Sequence, residues 1–394
     1  MERDPYPYSY DSARPPAHAH SASRQSAGDR SISLRSRRLD SPITQDQIDR
    51  LEEQGFPNGL ALALAESVNS FPLRVWVVDN SGSMAASDGH RIVETSKKND
   101  LKFVQCTRWK ELTETVMYHA RLAALLNAPT VFRMLNDIPV HMGPSQFGIA
   151  DKGGAYVQQD LQVAMDVMSR ASPAGVTPLS RHVREIRQDV AELAPKLVRR
   201  GQKVVVILAT DGLPTDEAGN GDEFYKRDFV DALRSLEGLP VWIVVRLCTD
   251  SEEVVQYYNN LDKQLEFSVE VLDDFTQEAN EVHARNGWLN YSLPLHRCRE
   301  MGFHNRIMDL LDERALTLGE LRDLCLLLFG HEHADGVPDP EADFKGFQKS
   351  IEGILEMSEA GRNQWDPLRK KVLPFVDLKK MKRSYFGSKW NVFS

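Results

Sequence analysis

The sequence predicts an α/β fold built on a doubly wound, mostly parallel sheet, and three observations predict it. Short runs of β-branched and aromatic residues, notably 74–78 and 204–209, lack polar alternation, which marks strands covered on both faces. Between such runs lie segments with apolar residues every three to four positions, the clearest being Leu179, Val183, Ile186, Val190, Leu193 and Leu197. Those are helical stripes meant for a sheet. Two of the apolar runs end in carboxylates, Asp79 and Asp211. Open sheets of this class bind ligands beyond the carboxyl ends of their strands.

Taken in order, residues 1–42 are rich in Ser, Arg, Pro, Ala and His, a composition that buries too little to order itself. Residues 43–70 form a helical lead-in, a pair of helices broken by Gly55, Pro57 and Gly59 that packs on the sheet and feeds its first strand. After that strand, 91–94 and 101–106 read as a hairpin around a polar turn. Thr107 then caps a helix whose stripe is Trp109, Leu112, Val116, Ala120 and Ala123. Strands follow over 130–135 and 146–150, then helices over 158–169 and 178–200. Pro195 should kink the second of these or end it early. Helices over 222–236 and 252–265 alternate with strands over 241–247 and 267–272, which completes an α/β domain of residues 71–275.

Beyond 275 the strands stop, and residues 276–394 read as a module of short helices with a basic tail. Helices are expected over 306–311, 317–329, 347–357 and 368–378. The second opens with a capping box of Thr317 and Glu320 and closes at Gly330. His331, His333 and Asp335 form an H-x-H-x-D triplet that reads as a polar loop after that glycine. The tail gathers Arg369, Lys370, Lys371, Lys379, Lys380, Lys382, Arg383 and Lys389, interleaved with Tyr385, Phe386, Trp390 and Phe393. Such a tail suits peripheral contact with an anionic membrane or RNA, and equally a return onto the acidic body of the protein.

Across 394 residues the formal net charge is −9, with 41% hydrophobic and 27% charged residues. That is an ordinary globular balance, and its sign argues against general nucleic-acid binding. Cys106, Cys248, Cys298 and Cys325 lie far apart with no C-x-x-C pair, so buried free thiols are expected rather than a zinc cage or a disulfide framework. Met1 opens onto Glu2, Arg3 and Asp4 with no apolar region behind, and no run approaches the ~18 residues of a membrane span. An intracellular, cytoplasmic protein is expected.

The chemistry concentrates after the first strand. In residues 73–84, LRVWVVDNSGSM, the side chains of Asp79, Ser81 and Ser83 alternate through a Gly-containing turn and can converge on one point. Three such oxygens suit a hard divalent ion, Mg2+ or Mn2+, whereas zinc prefers the His and Cys missing here. Two later segments add oxygens. Thr177 precedes Pro178 at a helix entrance, and Thr210, Asp211 and Gly212 end another buried strand.

Together these residues resemble the von Willebrand factor A domain. Asp79, Ser81, Ser83, Thr177 and Asp211 match its metal-ion-dependent adhesion site, so that all five positions are filled over a resemblance spanning about residues 70–275. The pattern departs at Val176, where such domains often carry a second glycine. The resemblance implies a Rossmann-like fold and a protein–protein interaction module rather than an enzyme. In that family the Ser and Thr hydroxyls bind the ion directly while the acids often act through water. The ion then lacks direct anionic ligands, and a partner's Asp or Glu supplies one. Two other functions compete. An Mg-dependent hydrolase or phosphotransferase would want a second acid where Ser81 stands, and neither a phosphate loop nor a nucleophile elbow is present. The third is a scaffold with a vestigial metal site.

Overall fold

The computed structural model describes residue 32 and residues 43–94, 101–261, 264–267, 269–331, 336–357 and 359–387. The expected disorder of residues 1–42 therefore falls outside the described residues, except at Ile32, which is buried and bonds Asp189 through its backbone. His333, Asp335, Lys389, Trp390 and Phe393 lie outside them too.

Six strands form the main sheet: β1 (Leu73–Val78), β4 (Thr130–Met134), β5 (Gln146–Ile149), β6 (Val204–Thr210), β7 (Val241–Leu247) and β8 (Val269–Leu272). Their order is β5-β4-β1-β6-β7-β8, parallel throughout except for the antiparallel edge pair β4 and β5. From β1 the chain leaves toward β4 on one side, and from β6 it leaves toward β7 on the other. The crevice between β1 and β6 is thus the point where the strand order reverses, the usual ligand position in an open parallel sheet. A separate hairpin, β2 (Gly89–Glu94) and β3 (Leu101–Cys106), follows β1 as its pattern predicts.

Alternation along β1 divides its side chains between two cores. Leu73, Val75 and Val77 join residues of α5 (Leu179–Arg199), α6 (Glu223–Arg234) and α7 (Glu252–Asn259). Trp76 and Val78 join α3 (Arg108–Leu125) and α4 (Val157–Arg170). The predicted stripes of α3 and α5 are buried, Leu193 of α5 only partly.

Several element boundaries differ from the sequence-based expectation. The helix α5 runs through Pro195 to Arg199, because buried Val190 and Leu197 anchor it to the sheet on both sides of the proline. By contrast α7 stops at Asn259, where the Asn260 amide bonds Gln256 O at 2.8 Å and closes the last turn. No helix forms over 368–378. In its place β9 (Asn363–Asp366) and β10 (Lys371–Pro374) make an antiparallel hairpin. Asp366 Oδ1 accepts from the backbone N–H groups of Leu368 and Arg369, and Lys370 sits at φ 51°, so a tight turn outcompetes the helix.

A third core joins the two ends of the chain. It unites α1 (Gln45–Glu53) and α2 (Asn58–Ser70) with α8 (Phe275–Arg285), α9 (Leu293–Glu300), α10 (Arg306–Glu313), α11 (Leu318–Phe329), α12 (Phe344–Met357) and α14 (Leu378–Phe386). The lead-in pair thus packs mainly with the C-terminal helices and touches the sheet layer through Tyr118 and Leu122 of α3 and Leu126 at its end. Thr317 and Glu320 cap α11 reciprocally and Gly330 ends it, as expected. Part of the basic tail folds back: Met381 is buried, Tyr385 donates to Leu316 O at 2.9 Å, and Phe386 meets Phe344 at 4.6 Å between ring centroids. The short helix α13 (Glu359–Arg362) precedes β9.

An ionic strut in α9 fastens the third core to the sheet. Arg299 bonds Glu270 of β8, Glu278 of α8 and Asp312 of α10, while Glu300 takes Arg246 of β7, His119 of α3 and Arg297. All four cysteines are free thiols, three of them buried. No helix among the described residues is long and apolar enough to cross a membrane.

Candidate metal centre

The site begins where the ladder ends. Asp79 still donates its N–H to Ala209 O at 3.0 Å, so β1 and β6 stay in register up to the first carboxylate. The chain then turns through a short 3-10 helix, Gly82–Ala85, and Gly82 donates to Gly175 O at 3.1 Å in the loop before α5. Gly175 is at φ +94°, and a Cβ there would lie 2.4 Å from Asn136 Oδ1. Only glycine fits. Asn136, just past β4, takes the Val176 N–H at 3.2 Å and donates to Val176 O at 2.8 Å. Its own N–H donates to Asn80 Oδ1 at 2.7 Å. The missing second glycine at Val176 therefore leaves the loop tight, because Gly175 makes the turn and Asn136 pins it.

Three of the five predicted oxygens form one chain of hydrogen bonds. Ser81 Oγ lies 2.9 Å from Ser83 Oγ, and Ser83 Oγ donates to Asp211 Oδ1 at 2.7 Å. Asp79 joins through neighbours: Oδ1 accepts the Ser81 N–H at 2.8 Å and Oδ2 accepts the Thr210 hydroxyl at 2.6 Å. Thr177 closes the far side, with its N–H donated to Thr215 Oγ1 at 2.9 Å. Its hydroxyl lies 3.5 Å from where a Cβ on Gly212 would sit, beside Asp211. Behind that turn, buried Tyr258 of α7 donates to Gly212 O at 2.9 Å. The hydrogen bonds join Ser81, Ser83 and Asp211 directly, while Asp79 and Thr177 adjoin them across Ser81, Thr210 and Gly212.

Electrostatics favour a cation here. Asp79 is wholly buried, and burial first, then the nearby Asp211, pushes its carboxyl up to about 6. A nearby positive charge would favour the ionised form of such a buried acid. Asp211 has part of that charge already, since Arg108 Nη1 donates to its Oδ2 at 2.9 Å. The donor set of two carboxylates and three hydroxyls fits Mg2+ or Mn2+ and not zinc. Among the described residues no three or more His, Cys, Asp or Glu side chains group to hold a metal. A site made mostly of hydroxyls is not such a group.

Sequence reasoning did not single out Asn136, Thr215, Tyr258, Arg108 or Asp88. One signal was present for Arg108. It is the first residue of α3, where the positive end of the helix dipole disfavours a cation. Such a local conflict marks a residue placed for another purpose. A cavity of about 410 Å³ lies between the β2–β3 hairpin, α3 and α9, with Arg246, Arg297 and Glu300 in its lining. None of the five predicted residues lines it.

No family model matches this chain, and no curated protein matches it at a significant level.

Proposed function

We propose that this protein is a divalent-cation-dependent protein–protein interaction module of the von Willebrand factor A type, with a doubly wound sheet. The observation that supports the proposal is the hydrogen-bonded chain of Ser81, Ser83 and Asp211 at the reversal point of the strand order, with Asp79 and Thr177 beside it and a carboxylate just past each of the two central strands. Ser81, Ser83, Thr177, Asp79 and Asp211 would hold Mg2+ or Mn2+, which supplies a Lewis-acidic point for an anionic ligand. Ser83 is solvent-exposed whereas Asp79, Ser81, Thr177 and Asp211 are buried, so Ser83 marks the side from which a partner would reach the site. The expected ligand is an Asp or Glu side chain on another protein.

The test is capture of a partner in Mg2+ and in EDTA, by the wild type and by Thr177→Ala. Alanine keeps a small residue before Pro178 and removes one hydroxyl. Loss of one such group costs about 1 to 3 kcal/mol, roughly tenfold to a hundredfold in affinity. Capture should fail in EDTA and weaken in the variant. A partner held equally well under all four conditions places recognition on another surface.

A further inference from the structure

The carboxylate that completes the site is held by a cation of this same chain. Arg108 donates from Nη1 to Asp211 Oδ2 at 2.9 Å, from Nε to Asp88 Oδ1 at 2.6 Å, and from Nη2 to the other Asp88 oxygen. One guanidinium thus spans two acids of different character. The Asp211 side chain is 0% exposed and that of Asp88 is 56% exposed, with Arg108 at 15% between them.

Local packing fixes this arrangement. The Arg108 N–H donates to Ala86 O at 3.0 Å, which ties the start of α3 to the segment leaving Ser83. A Cβ on Gly89 would lie 2.8 Å from Arg108 N, so the chain passes over the arginine at a distance that excludes any side chain. The arginine also sits at the helix terminus least favourable to a positive charge. Its two carboxylate partners offset that cost.

On the reading of the site as a divalent-cation centre, we propose that Arg108 is its charge-setting residue: it neutralises Asp211 and holds ion affinity down, and Asp88 moderates it by drawing off part of its charge. Within the buried part of the site Asp79 and Asp211 supply two carboxylates and Arg108 offsets one of them, so a divalent ion leaves that part net positive and an added carboxylate favourable. Asp88, 56% exposed, returns only a solvent-screened share of negative charge. A site without Arg108 would hold its ion more tightly and have less need of a partner.

The two ends of the bridge consequently act in opposite directions, which a merely structural role would not produce. A unit charge a few ångströms from a divalent ion changes its affinity about tenfold even in water-like dielectric. Calorimetric titration of the full chain with MnCl2 should show Arg108→Gln binding about tenfold tighter than wild type. Asp88→Asn should bind several-fold weaker, and Arg108→Lys, which keeps the charge, should stay near wild type. Melting in EDTA reports folding for each variant. Should Arg108→Gln fail to fold, Asp88→Asn decides alone. Unchanged or tighter binding by Asp88→Asn, or no gain in a folded Arg108→Gln, overturns the proposal while a titrating wild type leaves the metal site standing. A wild type that takes up no ion removes both.

Discussion

Two buried carboxylates, Glu300 in α9 and Asp79 after β1, have opposite surroundings. Glu300 meets Arg297 at 2.6 Å, His119 at 3.1 Å and Arg246 at 3.4 Å. Burial alone would raise its carboxyl, but Arg297, His296 and His119 hold it well below the usual range. Asp79 receives the Ser81 amide and the hydroxyls of Thr210 and Ser81, and forms no ion pair among the described residues. Burial and Asp211 push it up to about 6. The fold surrounds one acid with cations, and gives the other hydrogen bonds and a second acid as its neighbour. That contrast separates a structural ion cluster from a candidate binding site more clearly than burial does.

The comparison breaks most visibly at Glu300. Replacing it with Gln leaves Arg297 and Arg246 buried against a neutral amide, and removing one partner of a buried pair costs about 3 to 5 kcal/mol. Chemical denaturation at pH 7 should show that loss. The pH dependence has a definite sign. A depressed folded pKa contributes stability above the unfolded value of 4.5, lost as pH falls through the folded pKa. The difference between wild type and Glu300→Gln should therefore shrink in acid.

Asp79→Asn should do the reverse. With the folded pKa at about 6 against 3.8 unfolded, the ionised carboxylate destabilises the ion-free protein as pH rises between those values. Denaturation in EDTA at pH 7 should find the variant more stable by about 1 to 3 kcal/mol, and the gain should vanish near pH 4. A variant less stable than wild type at pH 7 would show that the Thr210 and Ser81 bonds outweigh the charge.

Smaller effects sharpen the picture. Thr177→Ala should leave the melting temperature in EDTA within a few degrees of wild type while weakening ion binding tenfold or more, measured by Mn2+ titration. Phe386→Ala removes a half-buried ring from Phe344 and should cost about 1 to 2 kcal/mol in denaturant melts.

The sheet, and the position of Asp79 and Asp211 just past its two central strands, were legible because they depend on local patterns. Residues 74–78 and 204–209 are apolar without alternation, and each run ends in its acid. What stayed hidden depends on tertiary partners. The helix α9 was not singled out, because its His296, Arg299 and Glu300 carry no apolar stripe and are buried only by Arg246 of β7, Glu270 of β8 and His119 of α3. The β9–β10 hairpin turns on one side-chain bond pattern at Asp366 and a left-handed Lys370, which periodicity does not register. Arg108 showed only as a cation at the wrong end of a helix, and Asn136 as an ordinary loop residue.

Isothermal titration of the wild type and of Asp79→Asn with Mg2+ or Mn2+ at pH 7 tests the central claim most directly. On the proposed reading Asp79 and Asp211 flank one ion position, so the wild type should bind one ion per chain, and the heat should disappear in the variant while the variant remains folded. Absence of binding by the wild type at millimolar ion, or equal binding by Asp79→Asn, would contradict the account.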